Sequence, residues 1–438
     1  MYISLANRPA PDQPPAPPDT PDALATAPSR RSRGRRTVSS TVVTLGVVSL
    51  LTDISSESVT AILPLYVTGV LGLSTIAFGV LDGLYQGVSA VVRIAGGYVA
   101  DRSDQPKWVA FAGYALAAVA RVGLLIGSGF AALTAVVTAD RIGKGVRTAP
   151  RDALITAVSD PARLASAFGV HRMLDNIGAA VGPLLAFAIL LVIPDGYLTV
   201  FVASFAFAAV GVVILGLVVP NVRTRRRPVR VTGAPHPPRE KFPWHVLGRG
   251  PLRRVLAAAG ILGLLTIGDG FVYLVLLERS DFAAHWFPLL YVGTNVAFLA
   301  FAVPLGRLAD RFGSARVFVL GHAALLATYL TAALPIADVA ATILCLLFLG
   351  VFYAATDGVL AALTAQLTLP RTRGTGLGAA QTVVAVARFV SAAGFGVLWF
   401  TIGRESSMLV VAGLLVVAIP TAALLLRPLL GAPEEART

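Results

Sequence analysis

Charged residues set among apolar ones carry the chemistry available to this sequence. In the stretch LTDISSESVTAILPLY, Asp53 and Glu57 lie four residues apart, which puts them on one face of a helix, with Ser56 and Thr60 near enough to hydrogen-bond them. Two carboxylates in one apolar cavity repel when both are ionised, so such a pair tends to keep a proton and can carry it. The alternative is that each is permanently salt-bridged to a neighbouring helix. A second stretch, DRIGKGVRTAPRDALITA, sets Asp140, Arg141, Lys144, Arg147, Arg151 and Asp152 between two apolar runs. At 100° per residue these charges fall within an arc of about 140°, opposite Ile142, Val146, Ala149 and Ala153. The charged stripe must therefore face water or partner helices. Pro150 removes a backbone donor and bends the end of that helix, which favours Arg151 and Asp152 as part of a cytoplasmic gate rather than of the central cavity.

Further along, His171, Arg172 and Asp175 are spaced for local pairing, with His171 as a proton relay the alternative. Asp269 stands between Gly268 and Gly270, whose lack of side chains lets a backbone or ligand approach closely. Asp357 and Arg388 complete the ionisable residues assigned to a substrate cavity, together with Lys144, Arg147, His171, Arg172, Asp175 and Asp269. Tyr85, Phe271, Tyr273 and Tyr353 fit either such a cavity or ordinary packing.

These charges stand out because the chain around them is so apolar: 438 residues, 56% hydrophobic and 13% charged, with a mean hydropathy of +0.76. That composition is of an integral membrane protein. Apolar segments near 44–70, 76–100, 108–128, 130–157, 165–193, 197–219, 252–277, 286–305, 315–335, 338–367, 374–401 and 407–427 predict twelve spanning helices. No alternating ten-residue pattern of a β-barrel is present. Small-residue spacings such as Gly123-x-x-x-Gly127 and Gly178-x-x-x-Gly182 predict close helix packing.

The net charge of +13 sits mainly in two places. Residues 1–38 are rich in proline and arginine and predict a disordered tail; 220–250 predict a basic linker. Positive segments stay cytoplasmic, so an even number of spans must separate the two, and six fit. The organisation expected is a bundle of six helices over 39–219, the linker, a second bundle over 251–428, and a tail over 429–438, with both termini cytoplasmic in the plasma membrane. Asp53, Asp101 and Asp152 recur as Asp269, Asp310 and Asp357 at offsets of 216, 209 and 205 (269 − 53, 310 − 101, 357 − 152), the trace of a duplicated unit. Cys345, the one cysteine, excludes an intramolecular disulfide. The five histidines are too scattered for a metal centre, and no G-x-x-x-x-G-K-[ST] occurs, so the expectation is no enzyme, no metal, no cofactor and no nucleic-acid partner.

Two segments carry a family resemblance. GGYVADRSDQPK and GRLADRFGSAR resemble the G-x-x-x-D-[RK]-x-G signature of the major facilitator superfamily: Gly306, Asp310, Arg311 and Gly313 match in full, and Gly97, Asp101 and Arg102 match in the first copy, where Asp104 replaces the second glycine. RIGKG resembles the fourth-span R-x-x-Q-G, with Lys144 for glutamine, and Gly178-x-x-x-Gly182-Pro183 resembles the fifth-span motif of drug/proton antiporters. The resemblance implies an all-α fold of twelve helices in two pseudo-symmetric bundles, a gating role for the Asp-Arg pairs, and proton transfer involving Arg141. The function expected is proton-coupled export of a small molecule by alternating access, by a monomer. Uptake by symport is the alternative, and a membrane sensor or lipid-modifying protein is the reading from another class. For the substrate, Arg141 and Lys144 could hold an anionic group; alternatively they only neutralise nearby acids, which leaves a neutral or cationic substrate to the aromatic residues.

Overall fold

The computed structural model describes residues 39–102, 105–127, 129–160, 164–222, 250–280, 282–368 and 373–430, apart from the side chains at 90–91, 93–102, 165 and 373–375. The predicted N-terminal tail, most of the basic linker and residues 431–438 lie outside these residues.

Everything regular among the described residues is helical. Thirteen α-helices follow one another: α1 (Ser40–Leu65), α2 (Thr75–Arg102), α3 (Pro106–Ile126), α4 (Phe130–Val158), α5 (Leu164–Val192), α6 (Tyr197–Leu217), α7 (Gly250–Gly263), α8 (Asp269–Ser280), α9 (Phe287–Phe312), α10 (Ser314–Ala333), α11 (Asp338–Gln366), α12 (Arg373–Ile402) and α13 (Arg404–Leu430). Nine of the described helices are long and apolar enough to cross a membrane. The four others are α2, α4 with its closely spaced charges, and the short α7 and α8.

One predicted span is corrected. The segment 252–277 is not one helix but two, α7 and α8, separated at Leu264–Gly268. Glycines at 260, 263, 268 and 270 weaken helix propensity there, and Tyr329 of α10 supplies partners that the broken ladder lacks. Its hydroxyl accepts from the Ile267 N–H at 3.0 Å and donates to the Leu265 carbonyl at 2.9 Å. Of the signature pairs, Asp101 and Arg102 end α2, and Asp310 and Arg311 occupy the last turn of α9. Gly313, at φ +95°, terminates α9 in a conformation that side chains resist. α4 runs unbroken through Pro150.

The helix contacts repeat. α1 packs on α5 and α6, α2 on α4, and α3 on α4 and α6; correspondingly α7 packs on α12 and α13, α9 on α11, and α10 on α11 and α13. The two sets meet through α2 against α12 and α5 against α9. Glycine makes the first of these contacts close. A side chain at Gly79 would run into the Ala392 carbonyl, one at Gly83 into Phe389, and one at Gly396 into the Thr75 carbonyl, while the Thr75 hydroxyl donates to Gly396 O at 3.0 Å. Phe78, Phe271 and Phe395 stack edge to face behind this seam, with ring centroids 4.7 and 4.9 Å apart. Phe187 and Trp286 meet at 5.5 Å where α5 approaches the start of α9.

Candidate functional site

The charged face of α4 turns inward, onto α1, α3 and α5, so of the two environments open to it the partner helices prevail. Asp140 is the centre. It pairs with Arg121 of α3 at 2.8 Å and with the neighbouring Arg141, whose Nε donates to it at 2.9 Å; all three residues are buried. Arg121 also donates to Ser55 Oγ at 3.3 Å, which lies 2.9 Å from Ser204 Oγ of α6. Arg147 pairs with Asp53 at 3.7 Å and stacks on the Tyr114 ring at 4.4 Å. Arg151 bridges Asp152 at 3.2 Å and Asp175 at 3.6 Å and donates to Ser49 Oγ at 3.2 Å. A buried ion pair must recover the desolvation of both partners, and here additional hydroxyls and rings complete the hydration lost.

The Asp53/Glu57 pair divides. Asp53 is buried against Arg147, whereas Glu57 is part-exposed, 3.9 Å from Lys144 Nζ and 3.5 Å from the Tyr85 hydroxyl. Tyr85 Oη lies 2.7 Å from Thr60 Oγ1, and its ring carries the Arg141 guanidinium at 3.8 Å. Glycines of α5 close on this turn of α1: a side chain at Gly178 would strike Leu50 O, and one at Gly182 would strike Glu57 Cβ. The fifth-span motif and the paired acids are thus one packing unit.

Beside this core lies a cavity of about 250 Å³ lined from both helix sets, by Glu57, Thr60, Asp82, Tyr85 and Gln86 on one side and Asp269, Tyr291, Asn295, Tyr353 and Arg388 on the other. Asp269, at the start of α8, accepts from the Tyr353 hydroxyl at 2.5 Å. Arg388 also lines a second cavity of about 240 Å³ with His322, Thr356, Asp357 and Gln381.

Several expected cavity residues are placed otherwise. Arg147 and His171 are buried in helix packing, His171 with its Nε2 3.5 Å from Ser49 Oγ, because α1, α3 and α5 cover that face of the bundle. Arg172 is exposed, and Asp175 answers Arg151 rather than its own helix neighbours. Arg151 and Asp152 belong to the α1–α4–α5 network, and Asp310 and Arg311 are exposed without an ion-pair partner among the described residues. The side chains of Asp101 and Arg102 and the surroundings of Gly97 lie outside the described set. Two contributors escaped the sequence reading. Arg121 is a lone charge inside the predicted third span and Asp82 the one acid inside the second, a signal as strong as that used for Asp53.

A family model, the Major Facilitator Superfamily, matches residues 45–295, more than half of the chain. The protein belongs to that superfamily and is a membrane transporter by family. It is 27% identical over 405 residues, 89% of this chain and 97% of the other, to an uncharacterized MFS-type transporter of Methanocaldococcus jannaschii. An uncharacterized protein of Mycobacterium tuberculosis is 29% identical over 283 residues, 64% of this chain and 68% of its own. Among solved structures, the nucleoside transporter NupG superposes with a TM-score of 0.73 at 14% identity, covering 89% of this chain and 100% of that one. A bacterial homolog of the human lysosomal transporter Spinster, inward-facing and unoccupied, superposes with a TM-score of 0.66 at 17% identity over 89% and 97%. At such identities these two likenesses speak for the fold alone.

Proposed function

We propose that the protein is a proton-coupled exporter of a small molecule, a monomer of twelve spans in two six-helix bundles that rock about the central cavity of the plasma membrane. The repeated helix contacts support the two bundles, with α7 and α8 together making the seventh span. The basic segments at 30–36 and 220–250 support cytoplasmic termini. With that orientation the glycine seam of α2 and α12 lies at the outer end.

The observation that carries the coupling is the Glu57–Lys144 pair: loose at 3.9 Å, with side chains 23% and 32% exposed, and joined through Tyr85 to Arg141. A carboxylate in this position can exchange a proton with the cavity, whereas Asp140, clasped by two guanidinium groups, cannot. The export direction rests on the fifth-span glycines that press on this turn of α1.

The test uses inverted membrane vesicles holding an acid interior, with an acridine dye reporting proton release as amines, carboxylates and phosphate esters are added singly. At least one class should release protons, and Asp53→Asn and Glu57→Gln should each abolish the release. Wild-type release in both variants would remove the coupling from these residues.

A further inference from the structure

The charges around the central cavity do not balance, and the imbalance lies on one side. On the α1–α4 side, each acid has a cation within 4.0 Å: Glu57 meets Lys144, Asp53 meets Arg147, and Asp140 meets Arg121 and Arg141. The rest of the cavity wall, where α2 meets α8 and α12, holds two further carboxylates, Asp82 of α2 and Asp269 of α8, and one basic group, Arg388 of α12, which has no ion-pair partner among the described residues. Asp269 is met by a neutral hydroxyl only, that of Tyr353. Asp82 Oδ2 is buried and makes no hydrogen bond among the described residues. Its carboxylate is pressed against Gly268, where even a methyl group would overlap it, at the point where the seventh span breaks. A buried carboxylate oxygen without a partner has lost its hydration without replacement, and a site that bears this cost beside an open volume is one that a donor from outside can relieve.

We propose that the substrate is an organic cation, an amine with an apolar body, whose ammonium group sits between Asp82 and Asp269 while Phe78, Tyr291 and the methylene surface of Leu63 and Pro64 hold its body. All of these residues line the same cavity. An ammonium donates up to three hydrogen bonds, which suits an unpartnered Asp82 Oδ2 and the remaining oxygen of Asp269. Aromatic walls attract a cation as well as an apolar surface. An anionic group has a poor alternative: Arg141 and Arg121 are buried on Asp140, and at Arg388 it would share the cavity with three carboxylates, Glu57, Asp82 and Asp269. The inference deepens the transport reading and rests on it for the identity of the cavity, but binding itself requires no gradient.

The experiment is equilibrium binding of radiolabelled probes to the purified full-length protein in nanodiscs of zwitterionic lipid. The probes are 2-phenylethylamine, its neutral analogue 2-phenylethanol, its anionic analogue 3-phenylpropionate, and tetraethylammonium as a permanent cation. The expected result is binding of the two cations at least about ten-fold tighter than of the alcohol or the acid, with Asp82→Asn and Asp269→Asn each weakening the amine about ten-fold and Asp82→Glu retaining it. Failure of both cations to bind, unchanged amine binding in both asparagine variants, or tighter binding of the acid overturns the proposal. Each of those results leaves proton coupling at Glu57 intact, while loss of dye-reported coupling with amine binding preserved would strike the transport mechanism and spare the cation site.

Discussion

The two flanks of the cavity handle buried charge in opposite ways. In the α1–α4–α5 core, Asp53, Glu57, Asp140, Asp152 and Asp175 are met by Arg121, Arg141, Lys144, Arg147 and Arg151, five acids against five bases, linked by hydroxyls and by the rings of Tyr85 and Tyr114. Where α2 meets α8, α11 and α12, Asp82, Asp269 and Asp357 share the single Arg388, and none of them forms an ion pair among the described residues. A neutral, interlocked network stabilises one arrangement of helices, and an excess of one sign leaves interactions open to a ligand. The difference teaches that the most conspicuous cluster of charges in this sequence is scaffold for the most part, and that the sparser one is the more open to binding.

That contrast can be broken by measurement. The largest effect is expected for Asp140→Asn, which leaves Arg121 and Arg141 buried without their carboxylate; it should cost about 3–5 kcal/mol, read as a fall in the unfolding midpoint in detergent micelles. Asp82→Asn should cost less than about 1 kcal/mol by the same assay, because Asp82 Oδ2 has no hydrogen bond to lose. Equal losses in the two variants would end the comparison. Gly268→Ala comes next, at about 1–3 kcal/mol, since the added methyl group must displace the Asp82 carboxylate; amine binding should fall with it. Tyr329→Phe should cost about 1–3 kcal/mol by orphaning the Ile267 N–H at the break of the seventh span, and hydrogen exchange at that amide should speed up. Arg172→Ala, at an exposed position of α5, should shift stability by no more than about 0.5 kcal/mol and leave proton release unchanged.

Much of the architecture could be read along the chain. Each of the twelve apolar segments coincides with a helix or, at 252–277, with two, because hydropathy over some twenty residues is a local property. The duplicated aspartates led to a repeat that the helix contacts also display. Reading the site went less far. The stripe on α4 was recognised, but not that Asp140 would take Arg121 from α3 and so leave Lys144 as the one cation of the stripe open to Glu57. Arg147 and His171, expected in a cavity, are buried in helix packing.

Residue type and spacing settled by themselves that this chain is a helical membrane protein with ionisable groups held inside it, since burial in lipid forces every backbone group into a helix and makes each intramembrane charge an exception. Which carboxylate meets which cation was decided by tertiary structure alone. Helix rotation, depth and approach distance set those pairings: Arg121 reaches Asp140 because Gly113 and Gly143 let α3 and α4 touch, and Asp82 is left open because Gly268 brings the broken seventh span against it. A side chain's energy in a low dielectric depends on neighbours within a few ångströms, and those neighbours come from helices far apart in the chain.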